Sequence, residues 1–153
     1  MKKLFGLLLL SPLVFSEMKP LKEYIASIDE LRASEFLYVN YRCLGLFGMV
    51  INVTNGSSQE NSMSINTNVN ANSRMLMEPT YKIWASVRKD TSLEAFLEDI
   101  KVSIPPIADN YQVLANENWV NTGRYFEGNE LIESDTEVCN ELLEALLDET
   151  LLD

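Results

Sequence analysis

The chain has 153 residues, two cysteines and no histidine, and its formal net charge at pH 7 is −11. So acidic a surface repels nucleic-acid phosphates and anionic lipid headgroups, which argues against nucleic-acid binding and peripheral membrane attachment. The lack of histidine removes the most common general base and the most common metal ligand. We therefore expect neither a metal nor a cofactor.

Residues 1–16 have the pattern of a secretory signal peptide. Two lysines precede the largely apolar residues 4–15, and Val14 and Ser16 stand at positions −3 and −1 of a cut before Glu17. The apolar run is too short for a membrane-spanning helix, which needs about 20 residues. Cleavage would leave 137 residues with 10 basic and 23 acidic side chains, because both lysines are lost. We expect a periplasmic or secreted bacterial protein with no stable membrane anchor after cleavage.

Residues 34–53 are the most apolar part of the remaining chain, and their pattern is helical. Apolar side chains recur at intervals of three and four positions: Phe36, Val39, Cys43, Leu46 and Val50. The uninterrupted run around Cys43 ends at residue 51 and is too short to cross a membrane. Gly45 and Gly48 each cost such a helix about 1 kcal/mol relative to alanine, and close approach of a neighbouring helix would explain them. We predict the central helix of a bundle, preceded by a short helix or by extra turns of its own.

Residues 54–73 are rich in asparagine and serine and poor in apolar side chains. Seven asparagines fall within residues 52–73. Asn and Ser compete with helix formation by hydrogen-bonding to the nearby backbone, so we predict a mobile connector at about 54–73. Its length counts against a loop inside a compact domain. A frayed helical extension in its second half is the alternative.

Two further helices are predicted at residues 79–89 and 91–122. The first should begin at Pro79, because proline is favoured in the first turn, where its missing N–H costs nothing. The second should end at Gly123, a suitable C-terminal cap. The consecutive prolines at 105 and 106 should break or sharply kink this second helix.

The last predicted helix, residues 135–150, carries the second cysteine. Ser134 and Glu137 have the spacing of a capping box, and Cys139 begins an apolar stripe within the helix. A structural zinc site needs four ligands and a cysteine nucleophile normally needs a histidine base, so neither chemistry fits two isolated cysteines. Two inert core thiols remain the alternative. An even count in an oxidising compartment favours pairing, and we predict a disulfide between Cys43 and Cys139.

These patterns predict an all-α protein with a single helical domain at residues 17–153. No segment shows the sustained alternation of a half-buried strand. We expect a small bundle of about four helices whose first and last members are linked by the disulfide.

The segment 116–128 is the best candidate for a ligand site. Trp119 and Tyr125 stand among polar side chains that include Asn118 and Arg124. Aromatic rings interleaved with amides can stack on and hydrogen-bond to a sugar or another small polar ligand. The alternative is a helix end whose aromatic side chains fold back over the core.

Two weaker patterns concern charged residues. Glu94, Glu98 and Asp99 could supply a pair of carboxylates for glycoside hydrolysis, or they could form a solvated helix face. Arg42, next to a cysteine predicted to be buried, could select an anionic ligand or pair with a glutamate or aspartate of another helix. We assign no catalytic residue.

Taken together, these features favour a non-enzymatic binding or interaction module over an enzyme. The packed-helix pattern and the predicted disulfide are accompanied by no recognisable catalytic motif. The expected partner is an unidentified protein or a second copy of the chain. A small-ligand binder, for example of a sugar, or a carboxylate-dependent hydrolase is the alternative.

Overall fold

Five helices form the described part of the chain in this computed structural model, which covers residues 18–55 and 62–150. The predicted signal peptide and its cut before Glu17 lie outside these residues. No strand occurs within them, so the all-α class and the small helical bundle are confirmed. The helices are α1 Leu21–Ala26, α2 Ala33–Asn55, α3 Ser62–Val87, α4 Leu93–Thr122 and α5 Glu130–Thr150.

Helix α2 lies at the centre of the bundle. It packs against α3, α4 and α5, and α1 packs against α5. Residues 39–47 of α2 are buried without interruption, as expected for a helix that is covered on all sides. The prediction of a central helix is therefore confirmed, and α1 is a separate short helix.

The two glycines of α2 lie where α4 crosses it. A Cβ added at Gly45 would lie 2.8 Å from Cβ of Ile107 and 3.2 Å from the backbone nitrogen of Ala108. At Gly48 the added Cβ would meet only Cβ of Ala108, at 3.5 Å. The expected close approach of a neighbouring helix is therefore present, and α4 is the helix that makes it.

The disulfide predicted between the first and last long helices is present. Cys43 of α2 and Cys139 of α5 are joined, with their Cα atoms 5.5 Å apart and 96 positions apart in sequence. Both residues are fully buried in the main core, where they pack with apolar side chains of α2 and α5. The disulfide therefore links the central helix α2 covalently to the C-terminal helix α5.

Most of the predicted connector at 54–73 is helical, and its second half agrees with the alternative of a helical extension. Helix α2 continues to Asn55, and residues 62–73 belong to α3; residues 56–61 lie outside the described part. Instead of bonding to its own backbone, Asn66 is hydrogen-bonded to the Thr54 hydroxyl, and its Nδ2 donates to Oδ1 of Asn55 at 2.7 Å. Val69 packs against the main core. These tertiary contacts stabilise a helix that asparagine disfavours locally.

Because α3 begins at Ser62, the predicted helix start at Pro79 is wrong. Pro79, predicted in the first turn of a helix at 79–89, lies inside α3. The start of α5 is also earlier than the predicted 135: Glu130 is its first residue, and Oδ1 of Asn129 accepts a hydrogen bond from the Ile132 N–H at 3.1 Å. Ser134 is therefore inside the helix and does not cap it.

Helix α4 is continuous through its two prolines, which do not break it, so the single helix predicted at 91–122 is present. It begins after Ser92, whose side chain accepts a hydrogen bond from the Ala95 N–H at 3.3 Å. It ends as predicted at Gly123, where φ is +74° and the N–H donates to the Trp119 carbonyl at 2.8 Å. Such a left-handed cap is favourable for glycine.

Candidate functional site

The predicted ligand segment 116–128 forms the last turn of α4 and the loop that leads to α5. Asn118 is buried, and its Nδ2 donates hydrogen bonds to the carbonyls of Arg124 at 2.9 Å and Glu127 at 3.0 Å. The Arg124 guanidinium forms an ion pair with Glu127. The amide and the guanidinium that could bind a ligand therefore stabilise the loop itself.

The two aromatic rings of this segment contact each other. Trp119 and Tyr125 are stacked, with ring centroids 4.6 Å apart and an interplanar angle of 15°. Tyr125 is half-buried and packs against the main core, whereas Trp119 is 48% exposed. The structure thus brings together all four predicted ligand-binding residues, Asn118, Trp119, Arg124 and Tyr125. Only one ring face of Trp119 is left without this stacking partner.

Arg42 lies in a buried polar cluster, where its guanidinium pairs with Asp135 of α5. Its Nε donates to the Tyr111 hydroxyl at 2.8 Å, one Nη donates to the Tyr38 hydroxyl at 2.9 Å, and the other donates to the Lys19 carbonyl at 3.2 Å. The predicted pairing with a helix-borne carboxylate is confirmed. Because Asp135 neutralises the charge of Arg42, the pair has no net positive charge to offer an anionic ligand.

Electrostatics keep the Arg42 guanidinium charged and the Tyr111 hydroxyl protonated near neutral pH. Burial opposes the charge on Arg42, but Tyr111 and Asp135 outweigh that effect and raise the pKa of the guanidinium. Burial, together with the Asp135 charge, raises the pKa of Tyr111 above its usual value near 10. The hydroxyl of Tyr111 therefore remains a hydrogen-bond donor to Asp135.

Asp135 is the residue of this cluster that sequence reasoning missed. Its second oxygen accepts a hydrogen bond from the Leu21 N–H of α1 at 2.6 Å. The side chain of Leu21 is fully buried beside it. Asp135 lies four positions before Cys139 on the same side of α5, and a carboxylate on that apolar stripe was the available indication of a buried partner for Arg42.

Two of the three acidic candidates on α4, Glu98 and Asp99, have separate partners. Asp99 accepts hydrogen bonds from the Tyr41 hydroxyl at 2.5 Å and from Trp84 Nε1 at 3.0 Å. Glu98 is bound by Lys101 at 3.3 Å. Burial and the Asp99 carboxylate raise the pKa of Tyr41. Asp99 therefore acts as an acceptor that joins α2, α3 and α4, which is a structural role.

A stripe on the outward side of α4 has no counterpart in the sequence predictions. Val102, Val113 and Val120 are 66%, 55% and 81% exposed, and Pro106 and Asp109 lie between them on the same side. The spacing of these residues places them along one face of a helix with 3.6 residues per turn. We call these five residues the α4 face. Its three valines lie on the side of α4 opposite the buried residues of that helix. Their spacing in the sequence was an indication of this exposed stripe that the predictions did not use.

Helix α2 is long and apolar enough to cross a membrane by those criteria alone, but 61% of its most apolar window is buried inside the fold. Across residues 18–55 and 62–150, no three or more Cys, Asp or Glu side chains are grouped so that they could hold a metal ion.

Comparison with known proteins finds no matching family model, no similar curated sequence and no similar solved structure.

Proposed function

We propose that the protein is an exported, non-enzymatic binding module that uses the α4 face to bind a basic amphipathic helix of another protein. The observation that carries the proposal is the exposure of Val102, Val113 and Val120 along one side of a well-packed helix. Valine is a weaker helix former than the residues that usually occupy solvent-facing helical positions. Neither helix propensity nor packing within the described chain accounts for these three valines. Burial of these valines against a partner protein would account for them.

The charges around the α4 face favour a basic partner. Asp109 lies within the face and Glu117 lies beside it, and neither forms an ion pair with any residue that the structure describes. A second copy of the chain would bring together two surfaces from a molecule of net charge −11, which disfavours self-association. A helix with lysine or arginine flanking its apolar side would complement both the carboxylates and the valines.

The prolines of α4 add hydrogen-bond acceptors to the same surface. Pro105 and Pro106 lack the N–H groups that would otherwise bond to the backbone carbonyls of Lys101 and Val102. Both of these residues are exposed, and we expect their carbonyls to be available as acceptors beside the valines and carboxylates of the α4 face. This combination matches a partner that is rich in hydrogen-bond donors.

Export is supported by two independent features. The first is the signal-peptide pattern of residues 1–16, and the second is the buried Cys43–Cys139 disulfide, since structural disulfides persist in oxidising compartments. N-terminal sequencing of protein recovered from the periplasm or the medium tests this part of the proposal. We expect a start at Glu17, and a start at Met1 would refute it.

The binding proposal is tested by NMR titration of the mature protein with two synthetic amphipathic helices. One helix has leucine on one face and lysine on the other, and the second has glutamate in place of lysine. We expect saturable shifts only with the lysine peptide, centred on residues 102–120, and weaker binding at higher salt because exposed charges are screened. Equal binding of both peptides, or no binding, would overturn the proposal.

A matched pair of variants localises the surface. Val102→Lys combined with Val120→Lys should weaken binding of the lysine peptide at least about tenfold, because it removes apolar area and adds like charge. Ile65→Lys changes an exposed apolar residue of α3 and should leave binding intact. If the α3 variant is affected as strongly as the α4 variant, the α4 face is not the binding surface.

A further inference from the structure

A groove of about 660 Å³ lies between the N-terminal segment, the middle of α4 and the start of α5. This volume lies within the usual range for small-molecule sites, about 300–1,000 Å³. Much of its wall is apolar and is supplied by Met18, Pro20, Val113, Leu114 and Leu131. Val113 also belongs to the α4 face, whereas the other four residues do not, so the groove is largely a separate feature.

A second depression, of about 570 Å³, adjoins the groove. The two share Met18, Lys19 and Asn110. The second depression is more polar, because Tyr24, Ser27 and Tyr38 contribute to its wall. A molecule in the groove would therefore pass from an apolar wall to a polar one at Asn110.

Asn110 is the polar group best placed to bind such a molecule. It is half-buried and lines both depressions. Within the described residues its side-chain amide forms no hydrogen bond, in contrast to Asn118 and Asn66, whose amides are both used by the fold. A partly buried amide without a protein partner has a donor and an acceptor available for a ligand.

The charged residues of the groove indicate a ligand without net charge. Lys19 and Glu130 line the groove, are exposed and have opposite signs. Neither forms an ion pair within the described part of the chain, and together they supply no net charge to complement an ion. We propose that the groove binds a neutral amphipathic small molecule, whose apolar part contacts Met18, Leu114 and Leu131 and whose hydroxyl or amide group hydrogen-bonds to Asn110.

The proposal is tested with three eight-carbon probes below their micellar concentrations: octyl glucoside, octanoate and octyltrimethylammonium. NMR spectra of the mature protein are recorded during each titration. We expect saturable shifts at Met18, Asn110 and Leu131 with octyl glucoside, and binding at least about fivefold weaker for both ions, because the groove offers no net countercharge. Shifts spread over the whole surface, or tighter binding of either ion, would overturn the proposal.

Two substitutions separate this site from the α4 face. Asn110→Leu removes the amide without breaking a described side-chain hydrogen bond, and it should weaken octyl glucoside binding about three- to tenfold. Val102→Lys with Val120→Lys, which disrupts the α4 face, should leave octyl glucoside binding unchanged. If Asn110→Leu binds like the wild type, the assigned role of the amide is wrong. If the α4 variant binds neither the lysine peptide nor octyl glucoside, the two surfaces are not independent.

Discussion

Arg42 of α2 and Asp135 of α5 form an ion pair in which the side chains are only 1% and 0% exposed. Removing two charges from water costs several kcal/mol per ion unless further hydrogen bonds offset the loss. Tyr111 and the Lys19 carbonyl supply such bonds to Arg42, and the Leu21 N–H supplies one to Asp135. This pair therefore joins α1, α2, α4 and α5 through polar contacts beside the disulfide.

Asp135→Asn should lower the free energy of unfolding by about 3–5 kcal/mol, because it leaves the buried Arg42 charge without its counterion. Urea unfolding of the oxidised protein measures the change. Glu137→Gln is the matched control, since its ion pair with Lys22 is about half exposed on each side and should contribute less than about 1 kcal/mol. Similar losses for the two variants would show that burial does not set the strength of the Arg42 pair.

The Cys43–Cys139 disulfide should account for a large share of the stability. Cys139→Ser, measured against the oxidised wild type, should lower the free energy of unfolding by roughly 2–5 kcal/mol, because a loop of nearly a hundred residues gains freedom in the unfolded state. Thiol counting on protein denatured without reductant should find no titratable thiol in the wild type. Two thiols per chain would contradict the bond, and a dimer that separates only on reduction would place it between chains.

The two glycines of α2 should respond in opposite directions to the same substitution. Gly45→Ala places a methyl group against Cβ of Ile107 and the backbone of Ala108, and it should cost about 1–3 kcal/mol through overpacking. Gly48→Ala meets only an ordinary contact at 3.5 Å and should stabilise by about 0.5–1 kcal/mol, because alanine is the better helix former. Thermal and urea unfolding compare the two. Equal effects would mean that α4 can shift away from Gly45.

Trp119 and Tyr125 should differ in their contribution to stability although their rings are stacked. Trp119→Ala should cost no more than about 1.5 kcal/mol, the upper range for an aromatic pair, because the indole is 48% exposed. Tyr125→Ala should cost about 2–3 kcal/mol, since Tyr125 also packs against the core. Urea unfolding decides the order. A loss above 3 kcal/mol for Trp119→Ala would place this ring in the core, as one sequence hypothesis had it.

Tyr111 should make the protein less stable in alkaline solution. Burial and the Asp135 charge raise its pKa in the folded state, so above about pH 10 the unfolded chain has released a proton that the folded chain retains. Stability should then fall by about 1.4 kcal/mol per pH unit from this group alone. In Tyr111→Phe this contribution is absent, and the difference in unfolding free energy between wild type and variant should narrow above pH 10. A constant difference would refute the raised pKa.

Local patterns in the sequence were enough to predict the class of the fold and its disulfide bond. The period of three and four in residues 34–53 identifies a central helix, because periodicity reports directly which sides of a helix are apolar. The even cysteine count, with each cysteine on an apolar stripe, was enough to predict the bond between Cys43 and Cys139. Gly123 was predicted as the C-terminal cap of α4 because glycine is favoured directly after the end of a helix.

Which helix surfaces pack together could not be predicted from local patterns. Residues 62–73 are helical because Asn66 bonds across to the end of α2 and Val69 reaches the core, and no local pattern encodes such contacts. The pairing of Arg42 with Asp135 depends on the packing of α2 against α5, because the two residues are 93 positions apart in sequence. Likewise, the exposure of the valines on α4 depends on which helices pack against that helix. Periodicity shows which sides of a helix are apolar, but the neighbour that covers each side is fixed by long-range packing.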